Sequence, residues 1–111
     1  MEIGQYVRTL EGKIGQYVCY DVDINYITNG INYNDAVKYG NYSDDIIDLV
    51  EAGDYVNGYK VIYVDRGCSY EQKFIVCQRD DEPIAFINSN IKTVLTHEEY
   101  ERVCFKVSDE R

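Results

Sequence analysis

Apolar residues recur at every second position along much of this chain, and that spacing limits its fold more than any other feature. In Tyr17-Val18-Cys19-Tyr20-Asp21-Val22, the residues Val18, Tyr20 and Val22 share one face while Tyr17, Cys19 and Asp21 share the other, the pattern of a half-buried strand. Tyr59 to Val64 and Val103 to Val107 alternate similarly, and Phe74-Ile75-Val76-Cys77 is a continuous apolar run suited to a strand covered on both faces. Turn formers separate these stretches: Glu11-Gly12-Lys13, Asn29-Gly30, Asn57-Gly58, Asp65-Arg66-Gly67 and Asp80-Asp81-Glu82-Pro83. Short strands divided by frequent turns predict a mainly β fold, either a small SH3-like barrel or two fused small β-barrel units. Composition agrees, since the apolar content is weighted toward Val, Ile and 12 tyrosines, with one proline and no tryptophan, and such side chains fit a pleated surface.

Two segments interrupt the β pattern. Thr96-His97-Glu98-Glu99 reads as a capping box, in which the Thr hydroxyl and the Glu carboxylate satisfy each other's backbone donors, so a short C-terminal helix is expected near 97–102. Ser43-Asp44-Asp45 is placed to cap a helix through Ile46 to Val50 ending at Gly53, although the apolar run 46–50 fits a strand equally well. An internal echo also appears: Ile3-Gly4-Gln5-Tyr6-Val7 returns as Ile14-Gly15-Gln16-Tyr17-Val18 and, loosely, as Ala52-Gly53-Asp54-Tyr55-Val56. A glycine ahead of a polar residue and an apolar pair lets the chain turn tightly before it pairs. This favours two β units in one compact chain, 1–42 and 43–111, against a chance recurrence of Gly and Tyr.

The charge balance narrows the function classes. Twenty acidic residues against eleven basic ones leave a formal net charge of -9, which repels nucleic-acid phosphate and anionic membrane and attracts a basic partner. Solubility alone also accounts for such a charge. The start, Met1-Glu2-Ile3-Gly4-Gln5-Tyr6, lacks a basic region followed by an apolar run, so the expected location is the cytoplasm of the cell that makes the protein. In that reducing compartment Cys19, Cys68, Cys77 and Cys104 read as thiols, with Cys68 the most exposed.

Catalytic and cofactor signatures are missing from the sequence. The one histidine, His97, sits at the proposed helix start without a nucleophile elbow, and reads as an exposed helix-start residue. The cysteines are widely and irregularly spaced, unlike paired metal ligands, and the glycines lie in hairpin turns rather than phosphate loops. Neighbouring acids such as Asp44-Asp45, Asp80-Asp81 and Glu98-Glu99 point apart on regular structure, so they read as solvated surface. The expectation is a binding protein that is not an enzyme, with no metal or cofactor.

Tyrosine is the informative excess. Tyr20, Tyr26, Tyr33, Tyr39 and Tyr42 lie in a segment rich in Asn and Asp and poor in the aliphatics that would bury them all. Tyrosine supplies broad contact at low entropic cost plus a hydroxyl, as recognition surfaces require, although strand and core positions use it as well. The candidate partner-binding set is therefore Asp21, Asp23, Tyr26, Tyr33, Asp35, Tyr39, Tyr42, Asp44 and Asp45.

Three blocks carry a family resemblance. The start Met1-Glu2-Ile3-Gly4-Gln5-Tyr6-Val7-Arg8-Thr9, the middle from Ile46 to Val61 and the end from Asn90 to Tyr100 resemble short uncharacterised proteins encoded by phages and prophages of Clostridium-like Firmicutes. The resemblance implies an origin and a two-block layout; it carries no activity and no functional residue. Joined to charge and size, it leads to the expectation of a phage-encoded acidic protein that occludes a host macromolecule. The partner expected is a host protein with a basic surface, a nucleic-acid-handling or defence enzyme, and the sharpest form is an anti-CRISPR inhibitor that mimics nucleic-acid charge. Two alternatives stay open. One is a sequestering protein for a small signalling nucleotide, which needs Arg8, Lys13, Lys60 and Arg66 to cluster on folding; the other is a minor phage structural or accessory protein. A homo-oligomer is compatible with either.

Overall fold

The computed structural model describes residues 1–21, 24–67 and 72–104. It is mainly β, with nine strands in two antiparallel sheets. The first sheet contains β1 (Tyr6–Arg8), β2 (Ile14–Asp21), β3 (Ile24–Ile27) and β4 (Asn41–Ser43) in the order β3-β2-β1-β4. The second contains β5 (Tyr55–Val56), β6 (Tyr59–Asp65), β7 (Phe74–Cys77), β8 (Ile84–Phe86) and β9 (Val94–Leu95) in the order β8-β7-β6-β5-β9. In each, the first strand pairs with its hairpin partner on one side and with the last strand on the other. Turn chemistry sets the hairpins. Asn57 and Gly58, both left-handed at φ +53° and +87°, make the tight connection between β5 and β6 that an Asn-Gly pair favours.

The echo noted in the sequence acquires a structural meaning for two of its three copies. Gly4 and Gly53 adopt φ +92° and +97°, and each stands two residues ahead of a Tyr-Val pair that opens a sheet. The middle copy lies within β2, where Gly15 is paired with Val7 and a Cβ would collide with the Thr28 carbonyl.

Two cores lie side by side. One joins Val7, Tyr17, Ile27, Ile31 and Ala36; the other joins Ile47, Val50, Val56, Val61, Ile75 and Cys77. A radius of gyration of 15.8 Å, against about 13 Å for an average domain of this length, fits that flattened arrangement.

Several local expectations are corrected. Residues 33–39 form a helix, α1 (Tyr33–Tyr39), capped by the Asn32 side chain on the Asp35 N–H at 3.1 Å. At seven residues it is too short to form on propensity, and Tyr33, Val37 and Tyr39 favour strands. Burial of Ala36 against Val7 supplies the missing drive, so the sequence pattern did not announce it. Residues Ile46–Leu49 are neither α-helix nor strand but a 3₁₀ turn. Its Ile47 N–H is taken by Asn88 Oδ1 at 3.0 Å, and Arg66 closes its far end by donating to the carbonyls of Ile47, Asp48 and Val50. The run expected to alternate from Val103 begins as the last turn of α2 (His97–Val103), and Phe105 to Val107 lie outside the described residues. Phe74 and Val76 are only half-buried, so β7 is covered fully on one face.

α2 matches the helix expected near 97–102, with half of the expected capping box. Thr96 Oγ1 accepts from the Glu99 N–H at 3.1 Å, but its hydroxyl donates to the Gly12 carbonyl at 2.5 Å, and the Glu99 carboxylate pairs instead with Arg102 at 2.8 Å. Thr96 thus ties the helix to the β1–β2 turn. Gly12 fits that contact because it sits at φ +87° with no room for a Cβ beside Glu98.

Candidate functional site

The nine residues expected to meet a partner do not form one surface. Tyr42 is paired with Val7, on the face of the first sheet that carries the core, whereas Tyr26 is paired with Val18 on the opposite face and at the opposite edge. Tyr33 is half-buried, with its ring 5.2 Å from Tyr17, and packs against the first core. Asp45 lies 3.7 Å from Lys73, which also pairs with Asp48 at 2.8 Å; that bridge depresses Asp48 against its modest burial. Asp21 closes β2, and Asp23 lies outside the described residues. Of the nine, Asp35 and Tyr39 line one cleft, and Tyr42 and Asp44 are exposed on the segment that follows.

Asp35 and Tyr39 lie in α1, Tyr42 lies in β4, and Asp44 comes directly after β4. Asp35 and Tyr39 are one helical turn apart and share a side of α1. Tyr39 and Tyr42 are exposed at 53% and 42%, as Tyr63 and Tyr26 are elsewhere. Asp35 and Tyr39 line a cleft of about 330 Å³, with Thr9, Leu10, Glu11 and Ile31 on its other walls. Lys38 places its ammonium 5.2 Å from the Tyr39 ring centroid, so this ring already meets a cation.

A more densely bonded polar group among the described residues lies elsewhere. Arg8, 3% exposed, donates to Asp54 through Nη1 at 2.5 Å and Nη2 at 3.1 Å, to the Leu49 carbonyl at 2.8 Å and to Glu98 at 2.7 Å, with Glu51 3.5 Å from Nε. Asp54 is fully buried and also accepts from the backbone N–H groups of Glu51 and His97. Burial opposes both charges. The Arg8 fork and these backbone donors nevertheless hold Asp54 below its usual carboxylate range, while Asp54, Glu51 and Glu98 hold Arg8 above its own. His97 is at the helix start as expected, but it is only half exposed, and its Nδ1 sits 2.9 Å from Asp54 Oδ1. Asp54, His97 and Glu98 gather metal-type donors within 4.8 Å of one another. The cation they surround is the Arg8 guanidinium, so their donor capacity is already engaged and the cluster reads as a bolt between the two sheets.

Sequence reasoning weighed Arg8 only as part of a basic cluster and Asp54 only as part of the echo, and did not pair them, because they stand 46 positions apart. Arg8, Lys13, Lys60 and Arg66 do not cluster. Arg8 and Arg66 serve backbone and carboxylate acceptors inside the protein, while Lys13 and Lys60 line separate clefts. Cys77 is buried, and burial pushes its thiol up to about 11, which fits a packing role; Cys68 lies outside the described residues. No described helix is long and apolar enough to cross a membrane. No family model, no curated protein and no solved structure matches the chain.

Proposed function

We propose that this is a phage-encoded acidic binding protein that inhibits a host macromolecule by occupying its basic surface, with an SH3-like arrangement of its sheets as the scaffold. The observation that carries the reading is the exposure of Tyr39 and Tyr42 on the consecutive elements α1 and β4, with Asp35 one helical turn from Tyr39 and Asp44 two positions beyond Tyr42. Exposed aromatic rings give a docked partner contact area and slow its departure, and carboxylates around them speed its approach. The proposed partner is a nucleic-acid-handling or defence enzyme of the host, and the sharpest version is an anti-CRISPR inhibitor that takes the place of nucleic acid. The net charge of -9 supports a partner whose groove otherwise holds phosphate.

The test is kinetic and uses the captured host partner. Replacing Asp35 and Asp44 with Asn should slow association, with the effect shrinking as salt shortens the screening length from about 10 Å at 0.1 M to about 3 Å at 1 M. Tyr39→Ala and Tyr42→Ala should instead speed dissociation. Excess duplex DNA should displace the protein. Association indifferent to both salt and DNA would end the occlusion reading.

A further inference from the structure

The second sheet turns one side to its core and the other to solvent, and the solvent side is apolar at its centre. Pairing across the strands tells the sides apart, since residues opposite each other share a face. Val61 opposite Cys77 and Val64 opposite Ile75 point into the second core. Tyr63 opposite Val76, and Val76 opposite Ala85, point away from it, as does Asp65 opposite Phe74. Strict alternation from Val61 would turn Tyr63 inward. The bulge between Val61 and Tyr63 adds a residue, so that Ile62 and Tyr63 both stay outside, 48% and 53% exposed. The Tyr63 and Phe74 ring centroids are 6.3 Å apart, and with Val76 these side chains make one continuous patch, which marks an interaction surface more than scattered exposed residues do.

The charges on this side stand at its two ends. Among the described residues, Lys60 and Asp65 are the charged groups on the outward side of β6, β7 and β8, in a chain with 20 acidic and 11 basic residues. Neither has an ion-pair partner among the described residues; Asp65 accepts from the Gly67 N–H at 2.8 Å and from the Tyr63 hydroxyl at 3.4 Å. Lys60 comes two positions before Ile62, and Asp65 two positions after Tyr63.

We propose that this face joins a second copy of the chain about a two-fold axis passing between Ile62 and Tyr63. Such an axis runs the two β6 strands antiparallel, sets Ile62 and Tyr63 of one copy on those of the other, and brings Lys60 of each copy against Asp65 of its neighbour. Sheets packed face to face stand about 10 Å apart, a gap that a Lys and an Asp side chain span together. A patch that meets itself must be self-complementary. One cation and one anion placed evenly about an apolar centre meet that condition, whereas a surface of carboxylates would repel its own copy. The inference is independent of the partner-occluding role, since it uses none of Asp35, Tyr39, Tyr42 and Asp44.

Sedimentation equilibrium of the full chain tests it, at about 0.15 M salt so that the like net charges are screened beyond about 8 Å. A reversible equilibrium between monomer and dimer is expected. Ile62→Lys, at an exposed position, should weaken dimerisation by about tenfold or more, with an unchanged circular dichroism spectrum showing that the fold persists. Lys60→Glu and Asp65→Lys should each weaken self-association, because each makes both charge contacts of the two-fold repulsive. Mixed together, these two variants should recover association as a heterodimer, since both contacts then join opposite charges. That recovery separates the proposed register from a structural effect of either change. A chain that stays monomeric up to about 1 mM, leaving the face to a different protein, would overturn the proposal. So would a folded Ile62→Lys variant that dimerises like wild type, or a mixture of folded charge variants that associates no better than either alone.

Discussion

Two turns of the same make stand at the starts of the two sheets, and only one has been built into the interior. In the first, the Gln5 N–H donates to the Glu2 carbonyl at 3.1 Å and the Glu2 N–H donates back to Gln5 Oε1 at 2.6 Å. In the second, the Asp54 N–H donates to the Glu51 carbonyl at 3.1 Å and the Glu51 N–H donates back to Asp54 Oδ2 at 2.8 Å. Both place a left-handed glycine between the ends. The first turn stays at the surface, whereas Arg8, His97 and Glu98 close over the second. A local motif therefore fixes geometry equally in both places, and its energetic weight comes from what the rest of the chain sets on top of it.

The largest test breaks that asymmetry. Asp54→Ala removes the buried bidentate partner of Arg8, leaving only the partly exposed Glu98 and Glu51, and should cost about 3–5 kcal/mol in urea unfolding, whereas Gln5→Ala loses one exposed hydrogen bond and should cost about 0.5–1 kcal/mol. Similar losses would mean that the Arg8 network is not what distinguishes the turns. Thr96→Ala should come next, at about 1–2 kcal/mol, because it removes the cap on α2 and also the tie to Gly12 in the first sheet. A smaller change would show that the tie contributes nothing.

The pH dependence sharpens the comparison. Asp54 titrates below its ordinary value of 3.8 in the folded protein, so its stabilisation is complete above that value and is lost as pH falls through and beneath it. The double variant Arg8→Met, Asp54→Leu should show a flatter acid limb in denaturation monitored by circular dichroism, and an unchanged limb would assign the acid sensitivity to other carboxylates. The smallest contrast concerns the glycines. Gly4→Ala and Gly53→Ala both force a side chain into a left-handed conformation, at about 1 kcal/mol each. They should differ little, since a Cβ at Gly4 meets nothing within 4 Å and one at Gly53 meets His97 at an ordinary 3.7 Å.

The β character, the hairpin turns and α2 were legible because each rests on neighbours within a few residues, such as Asn57-Gly58 and Thr96 ahead of Glu99. The faces were not: a bulge between Val61 and Tyr63 breaks the alternation expected of β6 and leaves Ile62 and Tyr63 both exposed, and in β2 the core is met by Tyr17 rather than by the face of Val18. Helix α1 was not legible, since its tyrosines and valine favour strands and only the covering of Ala36 by the first core selects the helix. The acidic, tyrosine-rich segment was recognisable as unusual. Its division into a core residue, Tyr33, and the exposed Tyr39 and Tyr42 depends on which side of α1 the first two occupy and on Tyr42 falling in β4, which local pattern did not reveal. Arg8 and Asp54 are the extreme case, because nothing near either residue signals the other.

That separation has a consequence for how the protein is made. Arg8 leaves the ribosome before its acceptors, which lie 41, 46 and 90 residues further along, at Leu49, Asp54 and Glu98. The first sheet can complete its own hydrogen bonds once Ser43 has emerged, yet its guanidinium must stay in water until the second half of the chain arrives to cover it. Closure over such long loops is entropically slow to find. During synthesis Arg8 therefore cannot be shut away from solvent until α2, carrying Glu98, has emerged.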